Sequence, residues 1–178
     1  SGVMHAGLYY KPNSLKAKLS REGINLMKNF CNKNKIEWRE CGKVVVATED
    51  NEIEKLDNLF LRGLKNNLRG ISKLNKNQIQ KYEPHVVAKK GILVPEESIV
   101  NYKEVAKTYL NEILSNGGVI KYNSKIIKVS EFKNKKILTL HTGEEFESEI
   151  LISASGLYSD KVSKILGFEI NNQRILPF

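Results

Sequence analysis

Apolar residues recur at helical spacing in three long segments of the chain. Residues 14–31 form the first segment, which Ser14 can cap and which carries Leu15, Leu19, Leu26, Met27 and Phe30. In the second, Asp50 is the expected cap, and Ile53, Leu56, Phe60 and Leu64 share one face. The third begins at Asn101, ends at the Asn-Gly-Gly of residues 116–118, and is expected to turn inward Val105, Ala106, Tyr109, Leu110, Ile113 and Leu114. The pattern predicts three amphipathic helices, and a shorter one over residues 75–82 that Pro84 ends.

Short β-branched and alternating runs lie between and after these helices. Strands are predicted at residues 43–47, 91–95, 119–122, 125–132, 135–142 and 145–155. The return from the third helix to residues 119–122 suggests half of a parallel βαβ unit, and the runs after it suggest an antiparallel excursion. Residues 150–155 are expected to be a buried parallel strand that is apolar on both faces. The fold class is therefore α/β, mixed with an α+β part.

Hydrophobic content, net charge and cysteine spacing limit the classes of protein to which the chain can belong. The 178 residues are 40% hydrophobic, which fits a soluble globular chain, and no run is long enough for a transmembrane segment. The net charge of +9 comes mostly from scattered lysines, so a solvated surface is favoured over a nucleic-acid partner. Cys31 and Cys41 form no CxxC pair, so no metal site is expected.

Residues 153–167 carry the main chemical signal. A strand that runs into Gly156 and then a helix can hold a phosphate or a flavin ribityl chain, because the first amides of the helix are free. A plain strand-to-helix turn explains the same residues. No GxGxxG loop occurs in the chain, so a dinucleotide-binding domain would be represented here only by its later strands.

Several stretches together resemble one family. They are SGVMHAGLYYKPNSLKAKL, CGKVVVATE, EPHV, GILVPEESIVNYKEVAK, ASGLYSDKVSKILG and RILPF, and they follow one another through nearly the whole chain. They resemble the FAD-dependent oxidoreductases of the D-amino-acid-oxidase and glycerol-3-phosphate-dehydrogenase superfamily, nearest to the L-2-hydroxyglutarate dehydrogenase/oxidase group. The resemblance implies an internal fragment of a FAD-binding Rossmann-like domain with part of an inserted substrate-binding domain.

The same resemblance implies a division of the chain and a set of expectations for it. Residues 1–35 would be the flavin-facing loop and helix, 36–100 part of the substrate domain, 101–170 later elements of the FAD domain, and 171–178 the return to the substrate domain. Because the glycine-rich FAD loop of the family would precede residue 1, the chain alone is expected to bind FAD weakly and to show no turnover.

The resemblance also assigns roles near the flavin ring. Ser1 and Gly2 would lie against the isoalloxazine or ribityl chain. His5 would hydrogen-bond the substrate hydroxyl or accept its proton while hydride leaves to the flavin, although a structural histidine is the alternative. Tyr10 or Lys11 would reach a substrate carboxylate, with a surface-packing role equally open. Tyr102 is a further substrate-pocket candidate that could instead cover the core.

Cofactor contacts are implied at two further places. The backbone of Lys128 and Val129 matches the strand that meets the adenine in this superfamily, and Ala154, Ser155 and Gly156 match its last FAD turn. Two departures stand out, because Asn101 occupies a position where aspartate is common and Ser98 a position where glycine is common. The change to Asn101 puts a carboxylate role there in doubt.

The expected function is FAD-dependent oxidation of an L-2-hydroxy acid, most simply L-2-hydroxyglutarate to 2-oxoglutarate. The expected partner is this small-molecule 2-hydroxy acid, with the electron acceptor open. The alternatives are a sister FAD enzyme that acts on an amino acid or glycerol 3-phosphate, and a basic non-enzymatic binding module. A cytoplasmic location is expected, with peripheral contact at the inner membrane left open.

Overall fold

A computed structural model of the chain describes residues 2–168. The chain divides into two compact units, and the division falls between Gly118 and Val119 in the sequence. Unit 1 contains the strands β1 (Val3–Met4), β2 (Trp38–Glu40), β3 (Lys43–Ala47), β4 (Ser72–Asn75), β5 (Lys90–Val94) and β6 (Ser98–Val100). Its helices are α1 (Leu15–Lys33), α2 (Asp50–Lys65), α3 (Lys76–Tyr82) and α4 (Tyr102–Ser115). Unit 2 contains β7 (Ile126–Phe132), β8 (Lys135–Leu140), β9 (Glu145–Ser148) and α5 (Ser159–Ile165). The mixed α/β class is confirmed.

Capping side chains set where the helices of unit 1 begin. The Ser14 hydroxyl accepts a hydrogen bond from the Ala17 amide, as predicted, and Asn101 caps α4 in the same way. The cap of α2 is Glu49 and not Asp50, because Glu49 and Glu52 form a reciprocal capping box that places Asp50 inside the first turn. All four predicted helices of this unit are therefore present, with the start of α2 moved by one residue and the end of α1 moved from residue 31 to Lys33.

Two small antiparallel sheets form the centre of unit 1. In one, β6 lies between β1 and β2, and in the other β5 lies between β3 and β4. Ile92 and Val94 of β5 are fully buried, and they pack with Leu8 and Cys31 in the main core. Because β6 pairs directly with β1, the chain around His5 is fixed to the strand that follows residues 96 and 97.

In α1 and α4, the apolar residues that face the core are only partly those that the sequence pattern indicated. In α1, Ala17, Ile24 and Cys31 are buried, and the predicted Met27 and Phe30 pack against the core, whereas Leu15, Leu19 and Leu26 are exposed on the opposite side. Of the six α4 residues expected to point inward, only Val105 is buried, and Tyr109, Ile113 and Leu114 are exposed. Both helices carry more apolar surface than the core covers, so periodicity alone does not show which part of it faces the core.

Unit 2 confirms the antiparallel excursion but not the strands on either side of it. β7, β8 and β9 form a three-stranded antiparallel meander. Residues 119–122 and 150–155 are not strands, and Ile150 and Ile152 are exposed. A parallel core strand needs neighbours that pair with its backbone, and no strand of residues 2–168 pairs with either run. The predicted parallel βαβ half was wrong for the described residues.

The four-part domain division stays a prediction. Residues 1–35 and 36–100 fall in the same unit, and residues 171–178 lie outside the part of the chain that the structure describes. No helix within residues 2–168 has the length and apolar character needed to cross a bilayer.

A buried glycine in α2 supports a first prediction, on stability. A Cβ atom at Gly63 would lie 2.5 Å from the Ile71 Cδ1 atom and 3.0 Å from the Leu8 Cδ1 atom. We expect Gly63→Val to lower the free energy of unfolding by about 1–3 kcal/mol, because the added methyl groups overpack this contact.

The matched control for this prediction is Gly23→Val in α1, where an added Cβ meets nothing within 4 Å. Urea unfolding followed by the fluorescence of Trp38, the only tryptophan in the sequence, measures both variants. Equal effects at the two positions would contradict the packing explanation.

Candidate active site

The loop after β1 is held in place by side chains from α1 and the end of α2. The Ser20 hydroxyl donates to the carbonyl of His5 at 3.0 Å. The Asn66 amide donates to the carbonyls of Gly7 at 2.9 Å and Tyr10 at 2.8 Å. Gly7 adopts a positive φ of 97°, and a Cβ there would come within 3.3 Å of the Ser20 oxygen. Glycine at this position therefore lets the loop lie directly on α1.

Three of the residues predicted to meet substrate line one open groove in unit 1. His5, Tyr10 and Tyr102 border a groove of about 480 Å³, which we call the His5 groove. Lys16 from the first turn of α1 lines it too, a position that the sequence analysis missed. The groove thus combines a proton acceptor, two phenols and a cation, which are groups that can bind a small hydroxy acid.

Tyr102 contributes a hydroxyl that keeps its proton at neutral pH. Burial raises the pKa of Tyr102 above its ordinary value, and the nearby Cys31 adds to the increase. Its hydroxyl donates to the carbonyl of Val3 at 3.3 Å, so the ring is tied to β1. Burial also raises the pKa of Cys31, which keeps this thiol protonated and inert.

His5 is half exposed, with 53% of its side chain accessible, and its Nδ1 atom lies 3.3 Å from Oε2 of Glu97. The other oxygen of Glu97 accepts a hydrogen bond from the Lys43 ammonium at 2.8 Å. That ammonium also lies 4.7 Å from the centre of the Tyr9 ring. The sequence analysis did not single out Glu97 or Lys43, since they lie on different segments and carry no motif.

The neighbouring carboxylate, Glu96, fixes the segment that leads into β6. Arg21 binds it with two hydrogen bonds, at 2.8 and 3.0 Å, and the Arg69 backbone and side chain add two more, at 2.7 and 3.0 Å. Burial by itself would raise the pKa of Glu96, but these hydrogen bonds and the Arg21 charge outweigh burial and hold the pKa below its ordinary value. Glu96 is therefore ionised at neutral pH.

Two other predicted residues of the N-terminal stretch, Lys11 and Gly2, do not line the His5 groove. Lys11 is exposed, and its backbone carbonyl accepts the Ser14 amide and hydroxyl in the turn before α1. Gly2 lines a separate groove with Trp38 and Asn101, and its carbonyl accepts the Val100 amide at 2.8 Å. Ser1 lies outside the described residues. The roles predicted for these three residues stay predictions.

A second groove lies wholly within unit 2, and we call it the unit 2 groove. It has a volume of about 630 Å³, and three predicted cofactor residues line it, namely Val129, Ala154 and Ser155. Lys125 and Lys161 also line it. Apolar walls beside two ammonium groups fit a nucleotide, since the walls suit a base and the cations suit phosphates.

The two remaining cofactor candidates do not line this groove. Lys128 is exposed on β7, where it precedes Val129 and so points to the other face of the strand. Gly156 has a φ of 54° and opens a one-turn 3-10 helix, Gly156–Tyr158. The helix α5 that follows has only seven residues, and Asp160 lies in its first turn. The lysines, rather than a helix terminus, supply the positive charge here.

Comparison with known protein families finds a match over the whole chain. The family model described as DAO, FAD dependent oxidoreductase, matches residues 1–178, the whole chain. The chain belongs to this family. Members of the family use FAD, which confirms the cofactor class expected from the sequence.

Within the FAD-dependent oxidoreductases, curated relatives share one name. The chain is 40% identical over 171 residues to L-2-hydroxyglutarate dehydrogenase of Escherichia coli K12, which covers 95% of this chain and 40% of that protein. It is 39% identical to the enzyme of the same name from Indibacter alkaliphilus, over all of this chain and 44% of that protein. The mitochondrial enzyme of Homo sapiens is 33% identical, over all of this chain and 41% of its own length.

Solved structures of the family show the same fold. L-alpha-glycerophosphate oxidase from Mycoplasma pneumoniae with FAD bound matches with a TM-score of 0.82 and 25% identity, over 93% of this chain and 45% of that one. Glycine oxidase from Geobacillus kaustophilus matches with a TM-score of 0.83 and 17% identity, over 95% of this chain and 47% of that one. The chain spans less than half the length of these relatives.

Proposed function

We propose that the whole protein oxidises L-2-hydroxyglutarate to 2-oxoglutarate with FAD. The observation that carries the proposal is the convergence of His5, Tyr10 and Tyr102 on one groove, in a chain 33–40% identical to proteins named L-2-hydroxyglutarate dehydrogenase. A small 2-hydroxy acid is the proposed substrate, and the cytoplasm is the proposed location. Peripheral membrane contact remains the alternative.

The residues of the unit 2 groove fit part of the cofactor. Val129, Ala154 and Ser155 would hold the adenine side of FAD, and Lys125 and Lys161 would lie near its phosphates. Bound FAD supplies the two-electron acceptor that takes up the hydride from C2 of the substrate. Lys128 and Gly156 would contribute through their backbone, as the family resemblance implies.

The residues of the His5 groove would handle the substrate. The Nε2 atom of His5 would accept the hydroxyl proton as the carbon–oxygen bond becomes a carbonyl, and the ring would hold that proton until it passes to solvent. Lys16 would pair with a substrate carboxylate, and Tyr10 would hydrogen-bond to it. Lys11 is a weaker candidate for that contact, because it does not line the groove.

An anaerobic titration of the whole flavoprotein tests the proposal. We expect L-2-hydroxyglutarate to bleach the visible flavin absorbance, with 2-oxoglutarate formed in equal amount. D-2-hydroxyglutarate serves as the stereochemical control and should leave the flavin oxidised. Reduction by glycerol 3-phosphate or by an amino acid, with none by L-2-hydroxyglutarate, would assign the protein to a sister activity and overturn the proposal.

A further inference from the structure

Glu97 is a buried carboxylate that is only half satisfied by the rest of unit 1. Its side chain is 3% exposed, and Lys43 binds its Oε1 atom at 2.8 Å. Its Oε2 atom accepts no well-aligned hydrogen bond. Nδ1 of His5 lies at an ion-pair distance of 3.3 Å from this oxygen. A buried carboxylate oxygen is costly unless a donor faces it, so His5 is the partner that makes this arrangement stable.

The adjacent Glu96 shows what a purely structural carboxylate looks like in the same segment. Both of its oxygens accept hydrogen bonds from Arg21 and Arg69. Glu97 instead presents its open oxygen to the histidine of the His5 groove. The two consecutive glutamates therefore have different partners. Glu96 is fully bound by Arg21 and Arg69, whereas one oxygen of Glu97 faces the His5 ring.

We propose that Glu97 is a positioning residue that keeps the proton of neutral His5 on Nδ1, so that Nε2 is free to accept a proton. The proposal rests on the proposed function, in which His5 takes the substrate hydroxyl proton. A carboxylate beside Nδ1 selects the tautomer with hydrogen on that nitrogen, fixes the ring orientation, and stabilises the ring once it is protonated. The Lys43 ammonium pairs with the other oxygen, Oε1, at 2.8 Å, which leaves Oε2 directed at His5.

Other charged and titratable groups also face His5. They come from its own loop, from α1, from the start of β3 and from α4, and they are Tyr9, Tyr10, Lys16, Lys43 and Tyr102. Among them and Glu97, only Glu97 carries a carboxyl group, and it lies on the Nδ1 side of the ring. Its substitution is therefore the change in this set that acts most directly on that nitrogen.

The test is Glu97→Gln in the whole flavoprotein. Lys43 orients the new amide, because its ammonium attracts the amide oxygen and repels the NH₂ group, which leaves the NH₂ facing His5. An amide donor at Nδ1 forces the ring hydrogen onto Nε2, which removes the acceptor. We expect the limiting rate of flavin reduction to fall by about 10–100-fold. We also expect the acid limb of its pH profile to move to lower pH.

Nitrogen-15 NMR of histidine-labelled protein gives a readout that does not depend on turnover. The neutral wild-type ring should show hydrogen on Nδ1, and Glu97→Gln should show it on Nε2. His85 and His141 are internal controls in the same spectra. Glu97→Asp should restore the Nδ1 tautomer and part of the rate. Glu147→Gln, in the exposed pair that Lys135 forms at 2.9 Å, should change neither readout.

Each result decides one of the two proposals. A wild-type ring with hydrogen on Nε2 overturns the positioning role even if no Glu97 variant folds. An unchanged tautomer or an unchanged rate in folded Glu97→Gln overturns it too. If the wild-type protein shows the Nδ1 tautomer, and the variant shows the switch, but L-2-hydroxyglutarate does not reduce the flavin, the proposed function fails while the control of His5 by Glu97 stands.

Discussion

His5→Asn is expected to lower the limiting rate of flavin reduction by L-2-hydroxyglutarate by about 10²–10⁴-fold, which is the usual contribution of a positioned acid–base group. Asparagine keeps a polar side chain of similar reach but has no nitrogen that accepts a proton. The loss should appear in the limiting rate more than in substrate binding, because Lys16 and Tyr10 remain in the His5 groove. Stopped-flow reduction over a range of substrate concentrations separates the two quantities.

The control for this prediction is His85→Asn, an exposed histidine in the loop after α3. Both variants should fold, since neither side chain is buried and the asparagine amide at position 5 can still donate to the Glu97 carboxylate. A rate for His5→Asn within a few-fold of wild type would show that another group accepts the proton. A rate lost equally in His85→Asn would show that the effect is not local to the His5 groove.

The sequence predicted local elements well because their signals are local. Ser14 and Asn101 were predicted as caps and are found as caps, because their side chains reach the first free amides, and Asn75, predicted as the first residue of its helix, is the cap of α3. The run Lys43–Ala47 was predicted to the residue, since its β-branched content and the flanking Gly42 act within a few positions. These features depend little on the rest of the fold.

Features that depend on distant partners were predicted less well. Residues 150–155 have the composition of a buried strand, but composition cannot supply the neighbouring backbone that a strand requires. The exposed stripe of Leu15 and Leu19 is as regular as the buried one, so the sequence could not show which stripe faces the core. Contacts with residues that are distant in the sequence determine which stripe faces the core.

The candidate site shows the same distinction. The family resemblance pointed to His5, Tyr10 and Tyr102, and the structure brings all three to one groove although Tyr102 lies far along the chain. No motif pointed to Glu97, because its relation to His5 exists only once β6 pairs with β1. An acid four residues before the predicted cap Asn101 was the available signal in the sequence, and acids at such positions are common in loops.

Glu96→Gln is expected to have the second large effect, a decrease in the free energy of unfolding. Arg21 would lose its ionic partner while remaining only 20% exposed, and an NH₂ group would face the donors of Arg21 and Arg69. Breaking a buried ion pair from one side costs about 3–5 kcal/mol, so we expect a loss of about 3 kcal/mol at neutral pH. Urea unfolding followed by Trp38 fluorescence measures it. Glu147→Gln, in the exposed pair with Lys135, should cost no more than about 1 kcal/mol.

The pH dependence of this loss identifies its cause. The folded pKa of Glu96 lies below its ordinary value of 4.5, so the unfolded chain binds the proton more tightly than the folded one. The stabilisation from this carboxylate is therefore complete above the ordinary value and is lost as the pH falls through the folded pKa. Glutamine does not titrate, so the stability difference between wild type and Glu96→Gln should narrow in that acid range. A difference that stays constant down to the acid unfolding of both proteins would show that the glutamine disturbs packing and not charge.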